Sequence, residues 1–163
     1  MPAGKRRFKA VEQDGVTEWL FMRLSTYVKQ EHELVEEHKK AVTLRDTYIR
    51  KIKPRVSLAQ INSVTGLSRA RIQQVAPGTD REDGSDRIGA GEPDDGVTEI
   101  ISMQLLAYVK QEEELDEELE KVRRLRDRYI RKLKLRGVTL DELADVTARS
   151  RGRIQQLAPR TGE

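Results

Sequence analysis

The sequence predicts an all-α protein of two repeats, each a long coiled-coil-like helix followed by two short helices that a tight turn joins. Three observations favour this fold class. A segment that begins at Asp14 recurs from Asp95, and neither proline nor glycine interrupts residues 17–53 or 98–135. Charged residues make up 36% of the chain and aromatic residues only 4%. This composition suits long solvated helices better than one large core.

The internal duplication defines the domain organisation. The segment DGVTE opens at Asp14 and again at Asp95, 81 positions later, and the insertion of Gly137 changes the offset to 82. We therefore interpret the chain as two like units, residues 14–77 and 95–159. The other segments are a basic N-terminal arm (residues 1–13), a flexible acidic linker rich in glycine (residues 78–94) and a short tail (residues 160–163).

Each repeat is predicted to begin with a long helix. Thr17 and Thr98 precede the periodic residues and are predicted N-caps, because a threonine hydroxyl accepts hydrogen bonds from the free N–H groups of a first turn. Apolar residues then recur in steps of four and three, from Leu20 in the first repeat and Ile101 in the second. This periodicity predicts a coiled-coil seam through which the long helices associate, within one chain or between chains.

Charged residues interrupt the predicted seam at two positions in each repeat. They are Glu31 and Arg45 in the first, and Glu112 and Arg126 in the second. A local shift of phase would let the preceding Leu44 and Leu125 replace the arginines in the seam. A break of the first long helix near Gln30 is an alternative interpretation.

The linker and the arm have different expected roles. A helix over residues 17–53 would be about 55 Å long, and the 17-residue linker spans at most about 60 Å. Parallel pairing within the chain would need nearly all of that reach, so we predict antiparallel pairing or pairing between chains.

The basic arm carries four basic residues and one acid, which suits either contact with nucleic acid or a solubilising tail.

The end of each repeat predicts two short helices. Residues 56–77 are VSLAQINSVTGLSRARIQQVAP, and residues 138–159 are VTLDELADVTARSRGRIQQLAP. Gly66 suits a left-handed turn, Ser68 is placed to cap the second helix, and Pro77 stops it. The apolar residues at helical spacing that would pack the two helices together are Ile61, Leu67, Ile72 and Val75.

At these residues the segment resembles the helix-turn-helix of DNA-binding proteins. It is similar in particular to small actinobacterial regulators that place a charged helix before a motif of the type V-S-L-x-x-I-x-x-x-T-G-L-S-x-x-R-I. The resemblance covers about 20 residues in each copy. It implies that the partner is double-stranded DNA and that the second helix of each motif enters the major groove. A helical hairpin that only packs on a partner is the alternative.

The resemblance also implies which side chains contact DNA. Arginine suits guanine O6 and N7, and glutamine suits adenine N6 and N7. The expected base contacts are Arg69, Arg71, Gln73, Gln74, Arg151, Arg153, Gln155 and Gln156. Expected phosphate contacts are the two capping serines and the basic ends of the long helices, namely Ser68, Ser150, Arg50, Lys51, Lys53, Arg55, Arg131, Lys132, Lys134 and Arg136. The basic residues in this set also lie at the C-terminal ends of the long helices, where positive charge complements the helix dipole.

The sequence carries no signal for catalysis. It has no cysteine, no glycine-rich phosphate loop and no nucleophile elbow, and its two histidines, His32 and His38, do not share a helix face. We predict that the protein is not an enzyme and has no metal, cofactor or evident small-molecule site. Without a run of about 18 apolar residues or a secretory signal, we expect no membrane contact and a cytoplasmic location at the nucleoid.

We therefore expect a double-stranded DNA-binding protein, most simply a transcriptional regulator with two helix-turn-helix motifs. A nucleoid-associated or DNA-bridging protein, a phage DNA-packaging subunit and an RNA polymerase accessory factor are the alternatives. The two motifs are unequal, because Ala148 and Arg149 replace Gly66 and Leu67, and Gly152 lies inside the second helix. The first motif is therefore predicted to bind DNA more tightly.

Overall fold

The computed structural model describes residues 15–78 and 96–159, and these ranges contain six α-helices. They are α1 (Gly15–Ile52), α2 (Leu58–Thr65), α3 (Arg69–Val75), α4 (Val97–Leu135), α5 (Leu140–Thr147) and α6 (Arg151–Leu157). The all-α class is confirmed, and the long helices α1 and α4 pack together, each followed by short helices as expected for two repeats. The predicted basic arm, all but the first residue of the predicted linker, and the tail lie outside the described residues.

The long helices are continuous, but they begin earlier than predicted. α1 runs through Gln30 without interruption, so the alternative of a break there is wrong. Thr17 and Thr98 lie inside the first turn and not at the caps, so that prediction is also wrong. In α4 the carbonyl of Gly96 already accepts the first intrahelical hydrogen bond, from the Ile100 amide at 3.0 Å. Within residues 15–78 and 96–159, no helix combines the length and the apolar character that a membrane-spanning segment needs.

The described residues divide into two compact units, and each unit contains parts of both repeats. Unit 1 combines residues 15–35, the start of α1, with residues 118–159, which hold the end of α4 and both α5 and α6. Unit 2 combines residues 36–78, with α2 and α3, and residues 96–117, the start of α4. The compact units therefore do not coincide with the sequence repeats.

Unit 1 has a core that only both repeats together can supply. Leu24 of α1 packs against Ile130 and Leu133 of α4, and Leu143 and Ile154 bring α5 and α6 onto the same cluster. All five side chains are fully buried. The two long-helix segments run antiparallel in this unit, since early residues of α1 contact late residues of α4.

Unit 2 repeats this arrangement with the roles of the repeats exchanged. Ile49 of α1 packs against Leu105 and Val109 of α4, and Ile61 and Ile72 attach α2 and α3. The long-helix segments are again antiparallel. The pairing predicted from the linker length is thus present within each unit.

The charged positions of the seam pair with one another across the two long helices. In unit 1 the guanidinium of Arg126, only 4% exposed, donates to Glu31 and to Asp127. In unit 2 the equivalent Arg45 donates to Glu112 at 2.6 Å. Antiparallel packing therefore places each carboxylate opposite an arginine, as a buried ion requires.

The predicted shift of phase at the arginines is wrong. Leu44 and Leu125 are 40% and 36% exposed, and they stay outside the seam. The physical reason is that Arg45 and Arg126 find carboxylate partners inside it. With their charges satisfied, nothing drives the helices to rotate and bury the leucines.

Candidate nucleic-acid interface

The first motif consists of the two short helices α2 and α3, with a capped entry and a left-handed turn between them. Ser57 caps α2 by accepting from the Gln60 amide, and the Gln60 side chain accepts in return from the Ser57 amide at 2.9 Å. Gly66 ends α2 with φ +68°, and its N–H donates to the Asn62 carbonyl at 2.8 Å. A side chain at φ above zero would be strained, so the predicted glycine turn is confirmed.

Ser68 caps α3, and two buried apolar side chains decide which face of that helix points outward. Its hydroxyl accepts from the Arg71 amide at 3.2 Å, which confirms the predicted cap. Ile72 and Val75 are buried in the core of unit 2. The four residues predicted to contact bases, Arg69, Arg71, Gln73 and Gln74, are consequently all exposed.

The second motif has the same geometry from a different sequence. Ala148 ends α5 with φ +51°, the one non-glycine residue with positive φ among the described residues. Ser150 caps α6 by accepting from the Arg153 amide at 3.3 Å, and Ile154 is buried. The four predicted base-contact residues, Arg151, Arg153, Gln155 and Gln156, are exposed as in the first motif.

An arginine–glutamine pair lies on the exposed face of both short helices. Arg71 donates to the Gln74 side-chain oxygen at 3.2 Å, and Arg153 donates to Gln156 at 3.1 Å. The pairing leaves the guanidinium with further N–H groups and the glutamine with its amide donors. Both faces therefore offer the donors and acceptors that base edges in a major groove require.

Basic residues at the ends of the long helices hold α3 and α6 in place. Arg50 donates to the Val75 carbonyl at 2.9 Å, and Lys53 donates to the Gly78 carbonyl at 3.0 Å. Lys53 is buried by this contact. These cations satisfy the Val75 carbonyl at the end of α3, which has no intrahelical partner, and carbonyls of the residues that follow it. Arg50 and Lys53 were expected to contact phosphates, and their sequence does not indicate this structural role.

The second motif repeats this clamp on α6. Arg131 donates to the Leu157 carbonyl at 2.9 Å, and Lys134 donates to the Ala158 carbonyl. Arg50 and Arg131 remain exposed, whereas Lys134 is half-buried. The clamp fixes each short helix to the long helix that precedes it in sequence.

The remaining phosphate candidates lie at the surface. Lys51 and Lys132 stack over tyrosine rings, at 4.7 Å from Tyr48 and 5.3 Å from Tyr129. Arg136 donates to the Thr17 hydroxyl at 3.0 Å. The exposed candidates in this group are Lys51, Arg55, Lys132, Arg136 and the two capping serines, Ser68 and Ser150.

An acidic residue distinguishes the second motif from the first. Asp141 of α5 forms an ion pair with Arg151, the first residue of α6. The equivalent position in α2 is Ala59, and α2 contains no acidic residue. This contact was not predicted, although alignment of the two repeats shows the change from Ala59 to Asp141.

Glu31 is the centre of an arginine cluster in unit 1. It accepts from Arg126, from Arg123 at 3.2 Å and from Arg149 at 3.1 Å. Burial by itself raises the pKa of Glu31, but the hydrogen bonds and charges of the arginines outweigh it, and the net pKa is lowered. Arg149 occupies the position of Leu67, so the apolar contact it lacks is replaced by an ion pair that the sequence did not predict.

Comparison of the chain with protein-family models, with curated proteins and with solved structures finds no match. The assignment of a function therefore depends on the geometry and chemistry of the two motifs.

Proposed function

We propose that this protein binds double-stranded DNA and is a transcriptional regulator that inserts α3 and α6 into the major groove. One observation carries the proposal. In both motifs a serine-capped helix follows a left-handed turn, buries its isoleucine, and exposes two arginines and two glutamines. Arginine and glutamine are the residues that form bidentate hydrogen bonds with guanine and adenine.

We propose that the first motif binds DNA more tightly than the second. Residues 57–77 carry two arginines and no acid, whereas residues 139–159 carry three arginines and three acids. Because DNA is densely negative, the acids of α5 oppose binding. Asp141 also engages Arg151, which must exchange that partner for a base.

The test uses the full chain and a binding site found by footprinting genomic fragments. Arg69→Ala should weaken binding to that site by about 1–3 kcal/mol and relax its sequence preference. Arg151→Ala is the matched variant in the second motif, and it should weaken binding to that site less than Arg69→Ala does. Lys51→Ala should weaken all sequences alike and reduce the dependence on salt by about one phosphate contact.

The same titration separates a regulator from a protein that coats or bridges DNA. A regulator should bind its site at least about a thousandfold tighter than unrelated duplexes. Equal affinity for all duplexes would favour the bridging alternative. Unchanged specific binding by Arg69→Ala would reject the assignment of α3 as the helix that contacts bases.

A further inference from the structure

A groove in unit 2 lies between α2 and the start of α4. It encloses about 280 Å³, and its apolar lining includes Ile52, Val56, Val64 and Leu105. Ser102 completes the α4 side. The eight described lining residues include no charged group. The groove is thus a neutral, mainly apolar site directly behind the first motif.

The equivalent position in unit 1 carries an aromatic residue, Phe21. Phe21 stands 81 positions before Ser102, in the same register of its repeat. Its ring packs against the cluster that contains Leu24, Leu133 and Val138, which correspond to Leu105, Ile52 and Val56. The first repeat thus carries a phenyl group at this position, and the second carries a serine.

Ser102 does not compensate for the missing ring. Its hydroxyl donates to the Thr98 carbonyl one turn earlier at 2.8 Å, so it is directed to the backbone of its own helix. Val56 and Val64 remain only partly buried at the groove. The internal comparison therefore indicates what fits the groove, namely a planar ring the size of a phenyl group.

We propose that this groove binds a small, neutral aromatic molecule, whose ring takes the position that Phe21 fills in unit 1. An apolar cavity of about 150 Å³ is already large enough to hold benzene in a protein. The larger groove leaves room for one polar substituent, and Gln60 and Ser63 in its lining offer hydrogen-bonding groups. Phenols and indoles have this chemistry. Because α2 forms one wall, an occupant would tie the first motif more firmly to α4.

The test measures thermal unfolding of the full chain with indole and with p-cresol. At about five times the dissociation constant, either probe should raise Tm by about 2–4 °C. Ser102→Phe, which supplies the missing ring, should raise Tm without a probe and abolish the response. The control Phe21→Ser should lower Tm and keep the response of unit 2.

Methyl NMR of the unaltered protein provides a measurement that does not depend on any variant. Indole should shift the methyl resonances of Ile52 and Val64 and leave those of Leu133 and Val146 in unit 1 unchanged. Failure of both probes to shift the unit 2 methyls up to their solubility limits would overturn the proposal. An undiminished thermal response in Ser102→Phe would do the same. A response only to a phenylalanine-containing peptide would replace the small molecule with a protein partner and also overturn it.

Discussion

The left-handed residue that ends the first helix of each motif allows a reciprocal test of the turn. Gly66 has φ +68° in the first motif, and Ala148 has φ +51° in the second. Alanine in this conformation costs about 1–2 kcal/mol that glycine avoids. Glycine, in turn, loses about 0.4–1 kcal/mol through the larger freedom of its unfolded chain. The difference predicts that Ala148→Gly stabilises the protein by about 0.5–1 kcal/mol.

Gly66→Ala should have the opposite effect by a similar amount. A Cβ placed on Gly66 meets no heavy atom within 4 Å, so the cost comes from the backbone alone and not from a clash. For a chain of this length the two changes correspond to shifts in Tm of about 1–4 °C in opposite directions. Urea unfolding monitored by circular dichroism measures both free energies, and the double variant should return close to the starting stability.

An equal or lower stability of Ala148→Gly would refute the idea that the turn is strained by its alanine. Amide hydrogen exchange locates the effect, since only the protection of α5 and α6 should rise if the strain is local to that motif.

Three further predictions concern the seam and the second motif. Glu31→Gln leaves the most buried arginine of unit 1 without its main partner and should cost about 3 kcal/mol. Because folding lowers the pKa of Glu31, the stability that its ionised carboxylate contributes is complete above the ordinary pKa of 4.5. This contribution is lost as the pH falls through the lower pKa of the folded state. The stability of Glu31→Gln should not show this pH-dependent loss. Fragments 1–79 and 95–163 each lack half of every core, so each should fold only when two copies associate. The Tm of each fragment should therefore depend on its concentration. Asp141→Ala should release Arg151 and strengthen DNA binding by the second motif.

Two of these predictions have a matched control variant. Glu33→Gln removes an exposed carboxylate with a 3.8 Å contact to Lys29 and should change stability by less than about 0.5 kcal/mol. A folded fragment whose Tm does not depend on concentration would contradict the mixed composition of the two units. Ala59→Asp should impose on the first motif the ion pair of the second and weaken its DNA binding. Unchanged binding in both α2 and α5 variants would show that this carboxylate is irrelevant to DNA.

The features that the sequence predicted well depend on local interactions. The long helices follow from uninterrupted runs with apolar steps of three and four, and the first turn follows from Gly66, which accepts positive φ, and from the hydroxyl cap of Ser68. Ser68 bonds to an amide three residues away, and Gly66 to a carbonyl four residues away. Contacts this short need no knowledge of the rest of the chain. The exposure of the arginines and glutamines follows from the same periodicity, because burial of one helix face leaves the others outside.

Apart from the ion pair between Asp141 and Arg151, the contacts that the sequence missed join segments far apart in the chain. Glu31 and Arg126 are 95 residues apart, and periodicity could identify each as an interruption but not as the partner of the other. Antiparallel packing decides that pairing, and it also combines the start of one repeat with the end of the other in each core. The groove beside Ser102 has the same origin, since the residues that line it come from both repeats. A local pattern specifies which face of a helix is apolar, and only the packing of the whole chain decides what that face meets.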